Sequence, residues 1–279
     1  MPIRWVLAGV ACCVACKETA SRPEPERPTP REQSEEPAPA ASPVATAAPE
    51  APALAGEWMQ PLESMGVVDF ASPPLGAREP RPVVVALHGM DARPEWVCND
   101  FRATFGPWPF LVCARGDVRS PANYSWGSTA GMRRAILRAL SAAEARWPGY
   151  VRADDRVLVT YSQSATMAPA LLVDPALPTF RAGFFLEGFT KHVGGYAPSM
   201  VAHGLSRAVF FATQPGNRAP AEMSAKALRR AGASAVASYG GSLGHWFTPK
   251  TVPALRTGVP PLVEGLPAWA AYPGPPRAE

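Results

Sequence analysis

Ser162 stands between two different sequence patterns. Residues 157–159 before it form a short apolar run whose length and β-branched content predict a buried strand. After it, Met167, Leu171 and Leu172 follow a helical apolar spacing. A serine at a sharp strand-to-helix turn exposes its hydroxyl, and the amide N–H groups that begin the helix face the negative charge that forms when this hydroxyl attacks a carbonyl. The pattern therefore predicts acyl-transfer chemistry at Ser162.

The segment Thr160-Tyr161-Ser162-Gln163-Ser164 resembles the nucleophile elbow of the α/β-hydrolase superfamily, which reads G-x-S-x-G. Tyr-Ser-Gln followed by a small residue is similar to the elbows of the carboxylesterase and dienelactone-hydrolase-like branch. Both elbow glycines are replaced here, by Thr160 and Ser164. A shifted frame would make Ser164 the nucleophile. Ser162 is the preferred nucleophile, and Ser164 stays as the alternative.

The resemblance extends to the segment His88-Gly89-Met90, which follows the apolar residues 83–87. In the superfamily a His-Gly pair after the third strand opens the loop that binds the oxyanion. The resemblance implies that the backbone N–H of Met90 or Gly89 acts together with that of Gln163 to hold the developing negative charge. It also implies that His88 orients this loop and is not the general base.

A general base is required because a serine hydroxyl is a weak nucleophile at neutral pH. The sequence contains four histidines. His245 lies in a glycine-rich segment after the last predicted strand, and it comes well after Ser162 in the chain. The superfamily places its base in the corresponding loop, and Gly244-His245 with an aromatic residue following is similar to the family's ending. The resemblance therefore implies that His245 is the base.

The third member of the site stays open between two residues. The superfamily's acid usually follows the seventh strand, where this sequence has no aspartate. Glu187 ends the sixth predicted strand, and some hydrolases carry their acid there. Asn217 follows the seventh predicted strand and could orient the imidazole without a charge. Glu187 is the preferred candidate and Asn217 the alternative.

These residues together imply a serine esterase that acts on small or medium esters without a cofactor. Tyr161, Trp126, Trp246 and Phe247 are aromatic candidates for lining its substrate pocket. The alternative function is a catalytically degenerate hydrolase-fold protein that serves as a binding or envelope-structural module. The missing elbow glycines and the missing aspartate favour this alternative, whereas the order of the serine and histidine motifs favours the enzyme.

Strand and helix patterns alternate along residues 57–279 without an internal repeat. Continuously apolar runs such as residues 83–87 are typical of strands covered on both faces of a parallel sheet. The alternation predicts one α/β domain with a doubly wound, mostly parallel sheet. The resemblance implies the α/β-hydrolase fold. The sequence has no insertion long enough for a large lid domain after the sixth predicted strand.

The first 56 residues differ from the rest in composition. Residues 1–16 contain Arg4 followed by an apolar, cysteine-containing run, which predicts a signal peptide. Cys12, Cys13 and Cys16 stand where the signal of a bacterial lipoprotein would place its lipidated cysteine, and Cys16 is favoured because it ends the apolar stretch. The resemblance therefore implies a membrane anchor in the bacterial cell envelope. An ordinary secretory signal, and hence a secreted protein, is the alternative. Residues 17–56 are rich in Pro, Ala and Glu and predict a disordered tether.

Cys98 and Cys113 are the two cysteines of the predicted domain. They fall on the first predicted helix and the next strand, which are neighbours in this fold. Paired cysteines of an exported protein are usually oxidised, so we predict a disulfide. A metal site is not predicted, because no histidine lies near either cysteine at ligand spacing. The formal net charge of +4 comes with scattered arginines and no basic stripe, which does not indicate a nucleic-acid partner. We expect a monomer.

Overall fold

The described part of the chain alternates strands and helices, as the sequence patterns predict. The computed structural model describes residues 51–277 except 119, 121, 189–192, 246 and 249. The strands are β1 (Gln60–Ser64), β2 (Val67–Ser72), β3 (Arg81–Leu87), β4 (Phe110–Ala114), β5 (Asp117–Val118), β6 (Tyr124–Ser125), β7 (Val151–Tyr161), β8 (Phe180–Leu186), β9 (Arg207–Ala212) and β10 (Ser234–Tyr239). The helices are α1 (Pro94–Phe105), α2 (Thr129–Arg146), α3 (Gln163–Leu171), α4 (Val193–Ala202), α5 (Pro215–Arg230), α6 (Thr251–Arg256) and α7 (Val259–Val263), followed by a 3₁₀ turn at Pro267–Trp269.

Eight of these strands form one sheet in the order β1-β2-β4-β3-β7-β8-β9-β10. Every neighbouring pair from β4 to β10 is parallel. The strands β1 and β2 add an antiparallel edge next to β4. The prediction of a doubly wound, mostly parallel sheet is therefore confirmed. The short strands β5 and β6 pair with each other outside this sheet.

Each face of the sheet carries its own apolar core, which explains the continuously apolar strands. In β3, Val83, Val85 and Leu87 face one core, whereas Val84 and Ala86 face the other. Helices α2, α3, α4 and α5 cover the first face, and α1, α6 and α7 cover the second. Because both faces are covered, polar side chains collect where the parallel strands end, at the edge of the sheet.

A disulfide joins Cys98 of α1 to Cys113 of β4. Both residues are fully buried between the helix and the strand. The predicted pairing is therefore found in the structure. Their sequence separation of 15 residues corresponds to a stabilisation of about 3 kcal/mol when the unfolded chain is constrained by such a loop.

The predicted leader and most of the predicted tether lie outside the described residues, as do lipidation at Cys16 and the pocket candidate Trp246. The last tether residues that are described pack on the domain. The N–H of Leu54 donates to the carbonyl of Ala77 at 2.8 Å. The packed part of the chain thus begins before the predicted boundary at residue 57. Among the helices of the described ranges, none has the length and apolar character that crossing a membrane requires.

Candidate active site

The carboxyl ends of neighbouring parallel strands carry the predicted site residues to one edge of the sheet. Strand β3 ends before His88, β7 before Ser162, and β8 before Glu187. The loop after β10 carries His245, and Thr213 follows β9. Because parallel strands end at the same edge, residues more than 150 positions apart in the sequence, such as His88 and His245, meet in one place.

Ser162 is the single residue between β7 and α3. Its φ of 54° and ψ of −112° are rare for a residue with a side chain. Two backbone hydrogen bonds hold this turn, since the N–H of Ser162 donates to Leu186 at 2.8 Å and its carbonyl accepts from Thr166 at 3.0 Å. The strained turn keeps the serine on the side of the histidine loop.

The two residues that replace the elbow glycines satisfy their hydroxyls on neighbouring strands. Thr160 donates to the carbonyl of Phe184 at 3.3 Å, and Ser164 donates to the carbonyl of Leu87 at 2.9 Å. Both side chains are fully buried. The structure thus contradicts the alternative nucleophile, because the hydroxyl of Ser164 is bonded inside the fold and does not face an imidazole.

Gly188 supplies the close approach that the elbow needs. A Cβ at this position would overlap the carbonyl oxygen of Ser162 and lie 2.7 Å from the Cβ of Ala165. The required glycine therefore lies after β8, in the segment that packs on the elbow, and not within the elbow itself.

The hydroxyl of Ser162 lies 2.8 Å from Nε2 of His245. The loop that carries the imidazole is fixed by the end of β9, because the Thr213 hydroxyl donates to the carbonyl of Gly244 at 2.5 Å. The hydroxyl of Tyr161 also donates to the carbonyl of His245. Gly244 has a φ of 83°, which is a conformation that favours glycine. The structure therefore brings the two residues together as predicted.

Glu187 faces the other nitrogen of the same imidazole. Its Oε2 lies 3.6 Å from Nδ1 of His245, which is within ion-pair range and longer than an ordinary hydrogen bond. Catalytic hydrogen bonds are often long before a substrate binds. Glu187 also has a positive φ of 55°, which turns the chain sharply at the end of β8. The preferred acid candidate thus completes a Ser–His–Glu series.

Three hydrogen-bond donors surround the Glu187 carboxylate. The backbone N–H groups of Thr213 and Gln214 donate to Oε1, the latter at 3.1 Å, and Nδ2 of Asn217 donates to Oε2 at 2.7 Å. Burial raises the pKa of Glu187, but the contact with His245 and these hydrogen bonds outweigh burial and hold the pKa below its usual value. Glu187 is therefore ionised at neutral pH.

Asn217 supports the carboxylate and does not replace it. Its amide contacts Glu187 and, at 3.4 Å, the side chain of Gln214. The structure therefore contradicts Asn217 as the direct partner of the imidazole. The sequence signal that could have shown this role is its position in the first turn of α5, where side chains and free N–H groups lie close to the end of β8.

The predicted oxyanion residues lie against the elbow. A Cβ at Gly89 would lie 3.2 Å from the Cβ of Ser162, so the backbone of this loop directly adjoins the serine. Within the part of the chain that the structure describes, the N–H groups of Met90 and Gln163 donate to no protein acceptor. Both N–H groups are thus available to a ligand, and Gln163 is the first residue of α3, where the helix dipole is positive.

The side chain of Gln163 ties the elbow to Trp126, a contact that the sequence analysis did not predict. Its Oε1 accepts from the Trp126 N–H at 2.9 Å, and its Nε2 donates to the Trp126 carbonyl at 3.1 Å. The indole N–H of Trp126 donates to the carbonyl of His88 at 2.7 Å. Trp126 is therefore buried in the core behind this loop and does not line the cavity beside Tyr161.

His88 holds the oxyanion loop as a neutral imidazole. Its Nε2 accepts from the N–H of Gly116 at 3.0 Å, so the ring proton is on Nδ1, which donates to the carbonyl of Gly89 at 2.7 Å. Burial lowers the pKa of His88 to about 4, opposed by the bond to Gly89. His88 thus holds the backbone of Gly89 and Gly116 through its two ring nitrogens.

Lowering the pH from 7 to 4 is expected to reduce the free energy of unfolding by about 3 kcal/mol through His88. The pKa of this group is about 4 in the folded protein and 6.5 in an unperturbed histidine. Between these values the unfolded chain binds more protons, so stability is lost as the pH falls from about 6.5 towards 4. Urea unfolding across this pH range measures the loss.

The variant His88→Asn supplies the control for this titration, because the asparagine amide can replace Nδ1 as the donor to Gly89 and does not titrate. Its stability should fall less steeply with acidification than that of the wild type, by about 3 kcal/mol over the range. Parallel curves for His88→Asn and the wild type would contradict the assignment.

A cavity of about 440 Å³ opens beside Tyr161 and Phe247. The Tyr161 ring centroid lies 5.3 Å from that of His245 and 4.9 Å from that of Phe247. Tyr161 thus connects the cavity to the Ser162–His245 pair, although neither Ser162 nor His245 lines it. The cavity volume is typical of small-molecule sites. Across the described ranges, no three His, Cys, Asp or Glu side chains are grouped so that they could hold a metal ion.

Solved structures share this architecture at low sequence identity. No protein-family model matches the chain, and no curated protein matches it. An uncharacterized protein from Bacillus cereus ATCC 10987 is 7% identical with a TM-score of 0.55; the match covers 67% of this chain and 60% of that one, so this chain spans less than two thirds of its length. A protein from Klebsiella pneumoniae, assigned as a dienelactone hydrolase, is 14% identical with a TM-score of 0.53, over 74% of this chain and 98% of the other. The domain has the α/β-hydrolase fold.

Proposed function

We propose that this protein is a serine hydrolase that cleaves small or medium carboxylic esters through Ser162, His245 and Glu187. One observation carries the proposal: a serine hydroxyl lies 2.8 Å from an imidazole nitrogen whose other nitrogen faces a buried carboxylate. Such a series activates a hydroxyl at neutral pH, because the imidazole takes the proton and the carboxylate stabilises the resulting cation.

The chemistry proceeds by acyl transfer. The oxygen of Ser162 attacks the ester carbonyl carbon while Nε2 of His245 takes the hydroxyl proton. The N–H groups of Met90 and Gln163 stabilise the oxyanion. The intermediate then collapses, the carbon–oxygen bond of the ester breaks, and the departing alcohol takes the proton from His245. Water repeats the sequence on the acyl-enzyme, which releases the acid and restores Ser162.

The backbone at the site supports retained catalysis over a degenerate binding module. Ser162 and Glu187 both have a positive φ, of 54° and 55°, although glycine would adopt this conformation at lower cost. Their side chains are also mutually arranged through His245, with the carboxylate held by Thr213, Gln214 and Asn217. A fold that had lost the reaction would have no requirement for these side chains at strained positions.

We further propose that the protein is anchored in the bacterial cell envelope through Cys16, or secreted if it is not lipidated. The disulfide between Cys98 and Cys113 supports export, because such bonds persist in oxidising compartments. Metabolic labelling with a fatty acid should depend on Cys16. Incorporation that persists in Cys16→Ser would contradict lipidation at this residue.

A fluorophosphonate probe tests the proposed nucleophile, since it labels only activated serines. The wild-type protein should be labelled, and mass spectrometry should place the label on the peptide that contains Ser162. Labelling should disappear in Ser162→Ala and persist in Ser164→Ala, whose hydroxyl is buried and bonded to Leu87. Circular dichroism shows whether each variant is folded. A folded wild-type protein that takes up no label would support the binding module instead.

A further inference from the structure

The cavity beside the proposed site has an unusual wall. Four aromatic side chains line it, two from the site itself and two from the segments before β1 and within α1, namely Trp58, Trp96, Tyr161 and Phe247. Trp58 and Trp96 are 42% and 50% exposed, so both rings present apolar surface that a ligand could cover. The faces of such rings attract cations as well as apolar groups.

One of these rings already carries a cation. The guanidinium carbon of Arg93 lies 5.8 Å from the ring centroid of Trp96. Arg93 also forms an ion pair with Glu95 at 2.5 Å, so this wall carboxylate is neutralised within the protein. The cavity wall therefore already contains a cation that contacts both an aromatic ring and a carboxylate.

Asp100 is the second carboxylate in the wall, and it has a different environment. Within the described residues no Lys, Arg or His forms an ion pair with it. Burial raises the pKa of Asp100 to about 6, opposed by a hydrogen bond with Asn99. Asp100 is thus ionised at neutral pH, but its charge is incompletely solvated and has no counter-charge, which is an unfavourable state that a bound cation would relieve.

The charge of Asp100 reaches the edge of the proposed catalytic site. Burial raises the pKa of Tyr161, and the negative charges of Glu187 and Asp100 raise it further. Tyr161 directly precedes the nucleophile and donates its hydroxyl hydrogen bond to the backbone of His245. A substrate group held against Tyr161 and Asp100 would therefore lie beside the residue that directly precedes the nucleophile.

We propose that this cavity binds a substituted ammonium group, so that the preferred substrates are esters with a cationic acyl or alcohol part. The inference rests on the proposed esterase function and names its substrate class. An uncharged chain would cover Asp100 without supplying a counter-charge, whereas an ammonium group would contact the carboxylate and the aromatic faces together. Asp100 is then a specificity-determining residue.

A matched pair of substrates tests the proposal. Acetylthiocholine carries a quaternary ammonium group, and 3,3-dimethylbutyl thioacetate replaces it with an uncharged group of the same shape. The wild type should show a kcat/KM about tenfold higher for the cationic substrate. In Asp100→Asn this ratio should fall to near one, mainly through KM for the cationic substrate. Glu222→Gln, which removes an exposed carboxylate paired with Arg218, should keep the wild-type ratio.

The outcomes separate this inference from the proposed function. Hydrolysis of both substrates with equal kcat/KM would overturn the cationic preference and leave the esterase intact. If neither is hydrolysed, calorimetry of tetramethylammonium binding to the wild type decides, with Asp100→Asn and Trp96→Leu as two independent wall variants. Binding that both variants weaken supports the cation site without catalysis, and no binding, or binding that neither variant weakens, overturns it.

Discussion

Replacing Glu187 with glutamine is expected to lower kcat for ester hydrolysis by about 10⁴-fold with little change in KM. The amide keeps the shape of the side chain but removes the charge that stabilises the protonated imidazole. It can also place an N–H₂ group towards Nδ1 of His245, which then has to accept a hydrogen bond. The ring proton would move to Nε2, and that nitrogen could no longer take the proton of Ser162.

Steady-state kinetics on a short-chain nitrophenyl ester measure this loss, with two variants for comparison. Asn217→Ala should lose less activity, because the backbone N–H groups of Thr213 and Gln214 still hold the carboxylate. Glu222→Gln should behave like the wild type, since this carboxylate is exposed on α5. A Glu187→Gln protein that keeps more than about a tenth of the wild-type kcat would remove Glu187 from the site.

Replacing Gly188 with alanine is expected to destabilise the fold by about 3 kcal/mol or more and to abolish turnover. The added Cβ would overlap the carbonyl oxygen of Ser162 and would lie 2.9 Å from the N–H nitrogen of Thr166. Both are backbone atoms, one in the elbow and one in the first turn of α3, so no side-chain rotation can relieve the overlap. Urea unfolding and ester hydrolysis, measured on the same preparation, test both effects.

Gly216→Ala is the matched control for this substitution. Gly216 lies in the first turn of α5, and a Cβ there would have no neighbour within 4 Å. Its stability should remain within about 1 kcal/mol of the wild type, because alanine is favoured over glycine in a helix. A Gly188→Ala protein as stable and active as Gly216→Ala would show that the elbow does not depend on this close approach.

Local sequence patterns were sufficient to predict the strands at the centre of the sheet, where the composition and the spacing of apolar residues both indicate a strand. The predicted sixth strand, residues 180–186, has the bounds of β8, because residues 182–186 are all apolar and buried. The edge strand β1 was not predicted. Its sequence contains Pro61 and alternates polar residues, and it becomes a strand only because β2 offers a pairing edge.

Helix α4 was also missed, for a related reason. It contains Gly194, Gly195 and Pro198, which oppose helix formation in isolation. Its helical form comes from packing, since Val193, Ala197 and Met200 are buried in the core and the helix packs on α5 and α3. Intrinsic propensity could not predict an element whose stability is tertiary.

The candidate site also contains residues that local sequence patterns predict and residues that only the tertiary structure identifies. Ser162 and His245 could be predicted because each lies in a short recognisable motif after a strand. The choice between Glu187 and Asn217 could not, because both lie near the edge of the sheet and only the geometry shows which one faces the imidazole. The pairing of Gln163 with Trp126 joins residues 37 positions apart, and no local pattern marks it.

The positive φ of Ser162 means that the residue best suited to the backbone conformation at this position differs from the residue that catalysis requires. Glycine at position 162 would relax the turn and make the domain more resistant to heat, but it would remove the oxygen on which turnover depends. Directed evolution that selects only for thermal tolerance would therefore favour an inert protein at this codon. Screens for thermostable variants therefore need an activity assay as well, so that Ser162 is retained.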